Sequence, residues 1–245
     1  MDLGLKGKTA LVTGAGSRIG YGRGIVMTLA GEGCNIIAED IDLKGAQQTA
    51  EDARTLGVEV LALKADVSNR AEVNEMIKAG LAQFGQIDIL VNNAGAGSAL
   101  KPFVEMTRED WDLDIQVNLY GQMNMAQAVL PHMIARNYGR IINFSGGRGI
   151  PNISIYGAAK AGVMAFTEAL AREVAGAGII VNGIGPGLGE TGLVQNAPKE
   201  FLEQNRQRST LKRLCTPEDV GPVVAFLASD VCSYMTGQFI HLSTF

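Results

Sequence analysis

The sequence predicts one α/β domain, residues 1–245, built on a doubly wound, mainly parallel sheet of seven strands with helices on both faces. Short apolar segments alternate with longer amphipathic ones along the whole chain, which is the pattern of repeated strand–helix units. The strand segments are apolar at consecutive positions, as in Leu11-Val12 and Ile36-Ile37, and this is typical of parallel strands buried on both faces. A length of 245 residues fits one such domain, and no linker or repeat interrupts the pattern.

Each strand is predicted from an apolar, β-branched run that ends at turn-forming residues. The strands fall at residues 9–13, 35–39, 58–65, 87–92, 140–144, 179–184 and 239–242. Amphipathic patterns predict helices at residues 23–32, 43–56, 107–136, 154–175, 197–208 and 217–229, with Asn118 inside the third of these segments. A further helix follows a cap at Ser68 or Asn69 and runs to about residue 84. Right-handed crossovers through these helices would give a Rossmann-type sheet.

Composition and charge exclude several classes of function. The net charge is −4 and no basic stripe is present, so we expect no nucleic-acid partner. The three cysteines are odd in number and lack metal-ligand spacing, which predicts free thiols in a reducing compartment and no metal site. The sequence shows no signal-peptide pattern and no run of about 18 apolar residues, so we expect a cytoplasmic protein without membrane spans.

A glycine-rich loop, residues 13–22, follows the first strand and precedes a helix. Glycines are needed at such a place because a Cβ would keep the backbone away from a pyrophosphate, which the N-terminus of the helix then binds. The loop therefore predicts a dinucleotide site. Its expected cofactor contacts are Gly14, Ser17, Arg18, Gly20 and Gly22.

Asp40 indicates which dinucleotide binds. It ends the second strand, 18 residues after Gly22, where a carboxylate can accept hydrogen bonds from both ribose hydroxyls. The same charge would repel a 2′-phosphate, which favours NAD over NADP. Glu39 should point to the other side of the strand because side chains alternate. Arg18 keeps NADP open, since it could pair with a 2′-phosphate or simply face solvent.

Tyr156 and Lys160 lie four residues apart in a predicted helix and therefore share one face. Hydride transfer to a ketone leaves an alkoxide that needs a proton, and the reverse reaction needs a base. A nearby ammonium favours the phenolate, so we expect Lys160 to lower the pKa of Tyr156. Ser145 ends the fifth strand, and its hydroxyl could donate to the substrate carbonyl. Ser154 is the alternative, although its place beside the helix start fits an N-cap better.

Taken in order, these motifs resemble the short-chain dehydrogenase/reductase family over essentially the whole chain. The matching segments are Thr13-Gly14…Gly20-Tyr21-Gly22, Ala65-Asp66-Val67, Asn92-Asn93-Ala94-Gly95, Asn118, Ser145, Tyr156-Gly157-Ala158-Ala159-Lys160 and Asn182…Pro186-Gly187…Thr191. The spacing Gly-x5-Gly-x-Gly departs from the usual Gly-x3-Gly-x-Gly and is similar to the divergent enoyl reductases of the family. Gly146 stands where many members have a second serine, and Ser243-Thr244-Phe245 replaces the usual acidic-glycine end.

The resemblance implies further roles. Lys160 would bond the nicotinamide ribose, and Asn118 would hold a water that relays protons, with a kink or packing residue as the alternative. The remaining cofactor contacts would be Asp66 and Val67 at the adenine, Asn93, Ala94 and Gly95 along the sheet edge, and Pro186, Gly187 and Thr191 at the nicotinamide. Residues 188–214 would form a substrate lid, whose apolar residues Leu193, Val194, Phe201 and Leu202 suggest a largely apolar small-molecule substrate.

Three functions are weighed on this basis. The favoured one is an NAD-dependent dehydrogenase or reductase acting on a secondary alcohol or a 3-hydroxyacyl substrate. The second is another reaction on the same scaffold, such as that of an enoyl reductase, epimerase or dehydratase. The third is a catalytically silent NAD-binding regulator. Small residues on the helices at 107–136 and 154–175 favour close packing between subunits and predict a homotetramer, with a dimer as the alternative.

Overall fold

A computed structural model describes residues 1–98, 100–189, 191–192 and 199–242. Its sheet has seven strands in the order β3-β2-β1-β4-β5-β6-β7, and every neighbouring pair is parallel. The strands are β1 (Thr9–Thr13), β2 (Asn35–Asp40), β3 (Val60–Lys64), β4 (Ile89–Asn92), β5 (Gly139–Phe144), β6 (Ile179–Pro186) and β7 (Phe239–Leu242). The predicted doubly wound parallel sheet is confirmed. The chain reverses its direction across the sheet between β1 and β4, where ligands of such folds bind.

Eight α-helices connect the strands in the described part of the chain. They are α1 (Tyr21–Gly31), α2 (Leu43–Arg54), α3 (Arg70–Phe84), α4 (Arg108–Ile115), α5 (Gly121–Arg136), α6 (Ser154–Val174), α7 (Lys199–Arg208) and α8 (Pro217–Ala228). The predicted starts of several elements were wrong, including those of β4 and β5, which begin at Ile89 and Gly139 rather than at positions 87 and 140. Helix α1 begins two residues before position 23, because Gly20 takes the N-cap position. Strand β3 begins at Val60 rather than at position 58, since Gly57 is followed by two residues outside the ladder.

Two apolar layers cover the sheet. One layer joins Ile36 and Ala38 of β2 to α1 and α8, and the other joins Ile37 of the same strand to α3 and α5. Alternating residues of a strand point to opposite faces, so a strand buried on both sides must be apolar at every position. Each such aliphatic side chain stabilises the fold by roughly 1.5–3 kcal/mol.

The helical segment around Asn118 is not continuous. Helix α4 passes into a five-residue π-helical turn, Gln116–Tyr120, before α5 begins. A π turn holds one residue more than an α turn, and such turns are often found at functional sites. Asn118 lies inside this turn and is fully buried.

Within the described ranges, no helix combines the length and the hydrophobicity that crossing a lipid bilayer requires.

Candidate active site

The glycine-rich loop packs tightly onto the start of α1. A Cβ placed on Gly22 would lie 2.1 Å from the carbonyl oxygen of Gly14, so no larger residue fits there. Gly20 provides no side chain to cap α1, and the first turn of the helix carries no acidic residue. The N–H groups at this end are therefore offered to an external anion rather than to the protein.

Asp40 holds this loop in place. Its Oδ2 accepts a 2.7 Å hydrogen bond from the Gly16 N–H, and its Oδ1 accepts one of 2.9 Å from the Asp42 N–H. Glu39 is buried, and burial is the main cause that raises the pKa of its carboxyl well above the usual range. Arg18 is exposed, and Ser17 is half-buried beside Gly20.

Asn93 and Ala94 join β4 to the glycine-rich loop. The side-chain amide of Asn93 donates to the backbone oxygen of Thr13 at 2.8 Å, and the backbone N–H groups of Asn93 and Ala94 both donate to the Thr13 hydroxyl, at 3.0 and 2.9 Å. Thr13 was not singled out from the sequence as a functional residue. Its hydroxyl sets the spacing between the two loops that line the expected cofactor groove.

Asp66 and Val67 lie on the adjacent loop after β3. The Asp66 carboxylate accepts hydrogen bonds from the Ser68 N–H at 2.8 Å and from the Ser68 hydroxyl at 2.6 Å. Val67 is buried against Gly121 at the start of α5, where a Cβ on the glycine would lie 2.8 Å from the valine side chain. These contacts fix the orientation of the Asp66 carboxylate at the edge of the sheet.

Ser145, Tyr156 and Lys160 converge at the carboxyl end of β5. The Ser145 hydroxyl donates to the backbone oxygen of Lys160 at 2.8 Å, and the Lys160 ammonium donates to the backbone oxygen of Phe144 at 3.1 Å. The ammonium nitrogen lies 5.7 Å from the centre of the Tyr156 ring. Gly147, at φ 70°, lies against that ring so closely that a Cβ would approach it to 2.7 Å.

Asn118 faces the same space from the π turn. Its side-chain amide donates to the backbone oxygens of Ala96 at 2.7 Å and Asp114 at 2.9 Å. Its Oδ1 is buried and has no hydrogen-bond partner among the described residues. A Cβ on Gly95 would lie 3.1 Å from this oxygen and 3.7 Å from the Lys160 nitrogen. The amide oxygen and the ammonium thus both border the small space above Gly95.

Burial shifts the pKa values of Lys160 and Tyr156. It lowers the pKa of Lys160 to about 8. Burial, followed by the Asp114 carboxylate, raises the pKa of Tyr156 to about 12. The expectation that Lys160 lowers the pKa of Tyr156 is therefore not met in the ligand-free protein, because removal of the phenolate from water outweighs the ammonium.

Ser154 does not cap α6, and that interpretation of the sequence was wrong. Ile153 holds the N-cap position, and the Ser154 hydroxyl, in the first turn of the helix, contacts the sulfur of Met106 at 3.7 Å. The exposed side chain of Ser154 also makes it a weaker candidate than Ser145 for the carbonyl contact.

Tyr21 was missed as a functional residue. Its hydroxyl donates to the backbone oxygen of Gly187 at 2.9 Å, and a Cβ on Gly189 would lie 2.1 Å from the same hydroxyl. Thr191 donates its N–H to the Gly189 oxygen at 2.8 Å. Tyr21 thus connects the glycine-rich loop to the segment after Pro186. Its position between two glycines was the only indication in the sequence.

The expected lid lies partly outside the described residues. Glu190 and residues 193–198 belong to that part, including Leu193 and Val194. Phe201 and Leu202 lie on α7 and are half-buried.

Comparison with known proteins places this chain among oxidoreductases. The family model described as enoyl-(acyl carrier protein) reductase matches residues 14–244. The chain is 40% identical over 242 residues to the 3-oxoacyl-[acyl-carrier-protein] reductase FabG of Thermotoga maritima, covering 97% of both proteins. It is 36% identical to the (2S)-[(R)-hydroxy(phenyl)methyl]succinyl-CoA dehydrogenase subunit BbsD of Thauera aromatica, covering 98% of this chain and 96% of the relative.

The solved structures agree with the sequence relatives. The crystal structure of 3-ketoacyl-(acyl-carrier-protein) reductase from Brucella melitensis complexed with NADH has a TM-score of 0.90 and 34% identity, covering 97% of both chains. Levodione reductase has a TM-score of 0.94 and 32% identity, covering 98% of this chain and 97% of the other. The chain therefore belongs to the short-chain dehydrogenase/reductase family, and it is an oxidoreductase that transfers a hydride between a nicotinamide cofactor and the carbon of a hydroxyl or keto group.

Proposed function

We propose that this chain reduces ketones and oxidises secondary alcohols with NAD(H), and that Tyr156 exchanges the proton. The observation that carries the proposal is the convergence of Ser145, Tyr156 and Lys160 at the ligand-binding edge of the sheet. A bound nicotinamide supplies the hydride in one direction and accepts it in the other. The protein must then control the charge on the substrate oxygen.

Each side chain has one task in this proposal. The Ser145 hydroxyl leaves the Lys160 carbonyl and donates to the substrate oxygen, which stabilises the developing negative charge. The Tyr156 hydroxyl gives its proton to the same oxygen during reduction and recovers a proton during oxidation. Lys160 and the free Oδ1 of Asn118 border the space above Gly95, where a water could pass protons between them.

Asp40 supports NAD as the preferred cofactor. The uncapped N-terminus of α1 and the glycine cradle fit a pyrophosphate, and the carboxylate at the end of β2 would repel a 2′-phosphate. The exposed position of Arg18 fits an arginine that faces solvent. The NADH named in the Brucella melitensis complex is consistent with this choice.

A 3-oxoacyl or 3-hydroxyacyl thioester is the substrate class that we favour. Two of the relatives carry names that refer to such acyl substrates, one on acyl carrier protein and one on coenzyme A. The half-buried Phe201 and Leu202 on α7 would contribute apolar surface for the acyl chain.

An enoyl reductase is the second candidate. The printed description of the matching family model and the Gly-x5-Gly-x-Gly loop both favour it. The presence of Ser145 together with Tyr156 and Lys160 favours carbonyl chemistry instead, because a serine and a tyrosine hydroxyl can both donate to a substrate oxygen.

The discriminating experiment follows absorbance at 340 nm with NADH and then NADPH. The substrates are 3-oxoacyl thioesters, simple ketones and 2-enoyl thioesters. We expect turnover of the first two classes with NADH and its loss in Tyr156→Phe. Turnover of enoyl thioesters alone would favour the second candidate, and tight NADH binding without turnover would indicate a regulator. Wild-type rates in Tyr156→Phe would contradict the proposed role of the phenol.

We also propose a homotetramer in the cytoplasm. Leu113 and Tyr120 are exposed apolar residues near the start of α5, and Gly162 and Ala165 lie on α6. Faces of this kind pack between subunits. The three cysteines are free thiols, which suits a reducing compartment. Light scattering coupled to gel filtration tests the tetramer against a dimer.

A further inference from the structure

Asp114 is a fully buried carboxylate on α4 that the proposed reaction does not use. Its Oδ1 accepts a hydrogen bond from the Ser98 N–H at 2.9 Å, and its Oδ2 accepts one from the Ser98 hydroxyl at 3.0 Å. Burial of a charge is costly even when it is hydrogen-bonded, and an apolar residue at this position would avoid that cost. Packing alone therefore does not account for the carboxylate.

The contacts of Asp114 lead directly into the active site. Ser98 belongs to the loop after β4, which also carries Gly95 and Ala96. The side-chain amide of Asn118 donates both to the Ala96 oxygen and to the backbone oxygen of Asp114. The start of this loop is thus fastened to the π turn, and its end to α4.

Helix α4 packs against α6, which carries Tyr156. Among the described residues, the Lys160 nitrogen lies 5.7 Å from the centre of the Tyr156 ring, and the electrostatic neighbours of the phenol are Asp114 on α4 and the Tyr21 phenol on α1. The nearby guanidinium of Arg148 is directed at the sulfur of Met164, farther along α6. After burial, the Asp114 carboxylate is the cause that raises the pKa of Tyr156.

The other acidic side chains of α4 lie at the surface. Asp112 pairs with Arg108 at 3.0 Å and is half exposed, and Asp110 pairs with Lys101 at 2.6 Å. Their charges are compensated by cations in contact with solvent. In the described structure, the Asp114 side chain accepts hydrogen bonds only from Ser98, which carries no charge.

We infer that Asp114 is a positioning residue of this active site: its carboxylate holds the loop after β4 and, through its negative charge, sets the pH at which the Tyr156 hydroxyl exchanges its proton. The inference rests on the proposed role of Tyr156. It adds a carboxylate, contributed by a different helix, that controls the protonation of the phenol.

Asp114→Asn tests the charge while the shape is kept, because an asparagine can accept from the Ser98 N–H and donate to the Ser98 hydroxyl. We expect the pH profile of kcat/KM to move to lower pH by about one unit, the shift that one charge removed at several ångströms produces. The alkaline limb of reduction and the acid limb of oxidation should move together. Asp112→Asn is the matched control and should leave both limbs in place. Ser98→Ala keeps the Asp114 charge but removes the hydroxyl that holds the loop after β4. It should therefore raise KM without moving the midpoint of the pH profile.

A second measurement needs neither cofactor nor turnover. The protein is labelled with tyrosine carrying ¹³C at the ζ carbon, and the Tyr156 resonance is the one that disappears in Tyr156→Phe. Ionisation of this residue should begin at lower pH in Asp114→Asn than in the wild type. If Asp114→Asn does not fold, Asp114→Leu combined with Ser98→Ala removes the carboxylate and the hydroxyl together, which buried sites tolerate better than the loss of one, and only the backbone N–H of residue 98 then lacks its acceptor.

Unchanged midpoints in both measurements would overturn the inference, and so would a shift in Ser98→Ala as large as that in Asp114→Asn. Wild-type turnover in Tyr156→Phe would instead contradict the proposed function. In that case, the ¹³C titration still decides whether Asp114 controls the phenol.

Discussion

The hydroxyl of Ser145 is hydrogen-bonded to the backbone carbonyl of Lys160, so the two residues are joined before any substrate is present. The bond holds the end of β5 against α6 and points the serine toward the helix that carries Tyr156. A carbonyl substrate must replace the Lys160 carbonyl as the acceptor of this hydrogen bond. The hydroxyl is therefore already in position, but its hydrogen bond has to change acceptor when substrate binds.

Ser145→Ala should lower kcat by about 10²-fold, because one donor to the substrate oxygen is lost. The loss of a buried hydrogen bond should also reduce the free energy of unfolding by about 1 kcal/mol. Steady-state kinetics and thermal unfolding check the two effects. Ser154→Ala is the control, since its exposed hydroxyl contacts a sulfur and not a backbone carbonyl. A larger loss of activity in the control would reverse the assignment of the two serines.

The titration of Lys160 should affect stability between pH 8 and 10.5. Burial lowers its pKa to about 8 from the ordinary 10.5, so the unfolded chain binds the extra proton in this range. Stability should therefore rise with pH across this range, by roughly 3 kcal/mol in total. Lys160→Met should flatten this dependence and abolish turnover. Urea unfolding at several pH values measures how the free energy of unfolding depends on pH. An equal dependence in Lys160→Met would contradict the assignment of this titration to Lys160.

Tyr21→Phe should weaken binding of NADH by about 2- to 10-fold, the effect of losing one hydrogen bond to Gly187. ADP-ribose lacks the nicotinamide, so its affinity should not change. Isothermal titration calorimetry compares the two ligands. Tyr138→Phe removes a hydroxyl bonded to Asp230, on the other side of the molecule, and serves as the control. Equal weakening for both ligands would place the effect of Tyr21 at the pyrophosphate instead.

Asp40→Asn should shift cofactor preference toward NADPH by roughly 10-fold or more in kcat/KM, because the carboxylate charge is removed. The amide oxygen can still accept from the Gly16 N–H, which keeps the anchor of the loop, while the hydrogen bond from the exposed Asp42 N–H is lost. Ratios of kcat/KM for NADH and NADPH give the result. An unchanged ratio would mean that Asp40 serves only as the anchor of the glycine-rich loop.

The sequence predicted the parallel strands and made Ser145, Tyr156 and Lys160 the candidate site, because these inferences depend on local patterns and on fixed spacing. Chain contacts between distant elements were not predictable in this way. Four of the eight residues of α4 are acidic: Glu109, Asp110, Asp112 and Asp114. Such a composition suggests a helix in contact with solvent. Asp114 is nevertheless buried, because α4 packs on the loop after β4, and the sequence does not reveal that contact. The pKa of Tyr156 is raised first by the burial of Tyr156 itself and then by this carboxylate.

Helix ends were predicted less well than helix interiors for a related reason. Serine is a residue type that often caps helices. The cap position, however, is the residue at which the preceding loop passes into the helix, and that residue is Ile153. The contact between Tyr21 and Gly187 joins residues that no periodic pattern relates.

The π turn at Gln116–Tyr120 makes the site sensitive to chain length as well as to residue type. Deleting one residue there would let α4 and α5 merge into a regular helix, and each residue of an α-helix turns the chain by about 100°. The residues of α5 would then be rotated relative to Asp114 and Asn118, so the contacts with the loop after β4 and the packing of α5 on the sheet could not both be kept. A frame-preserving deletion of a single codon in this stretch would be expected to leave the sheet intact and the enzyme inactive, whereas most single substitutions on the exposed side of the same turn would be tolerated.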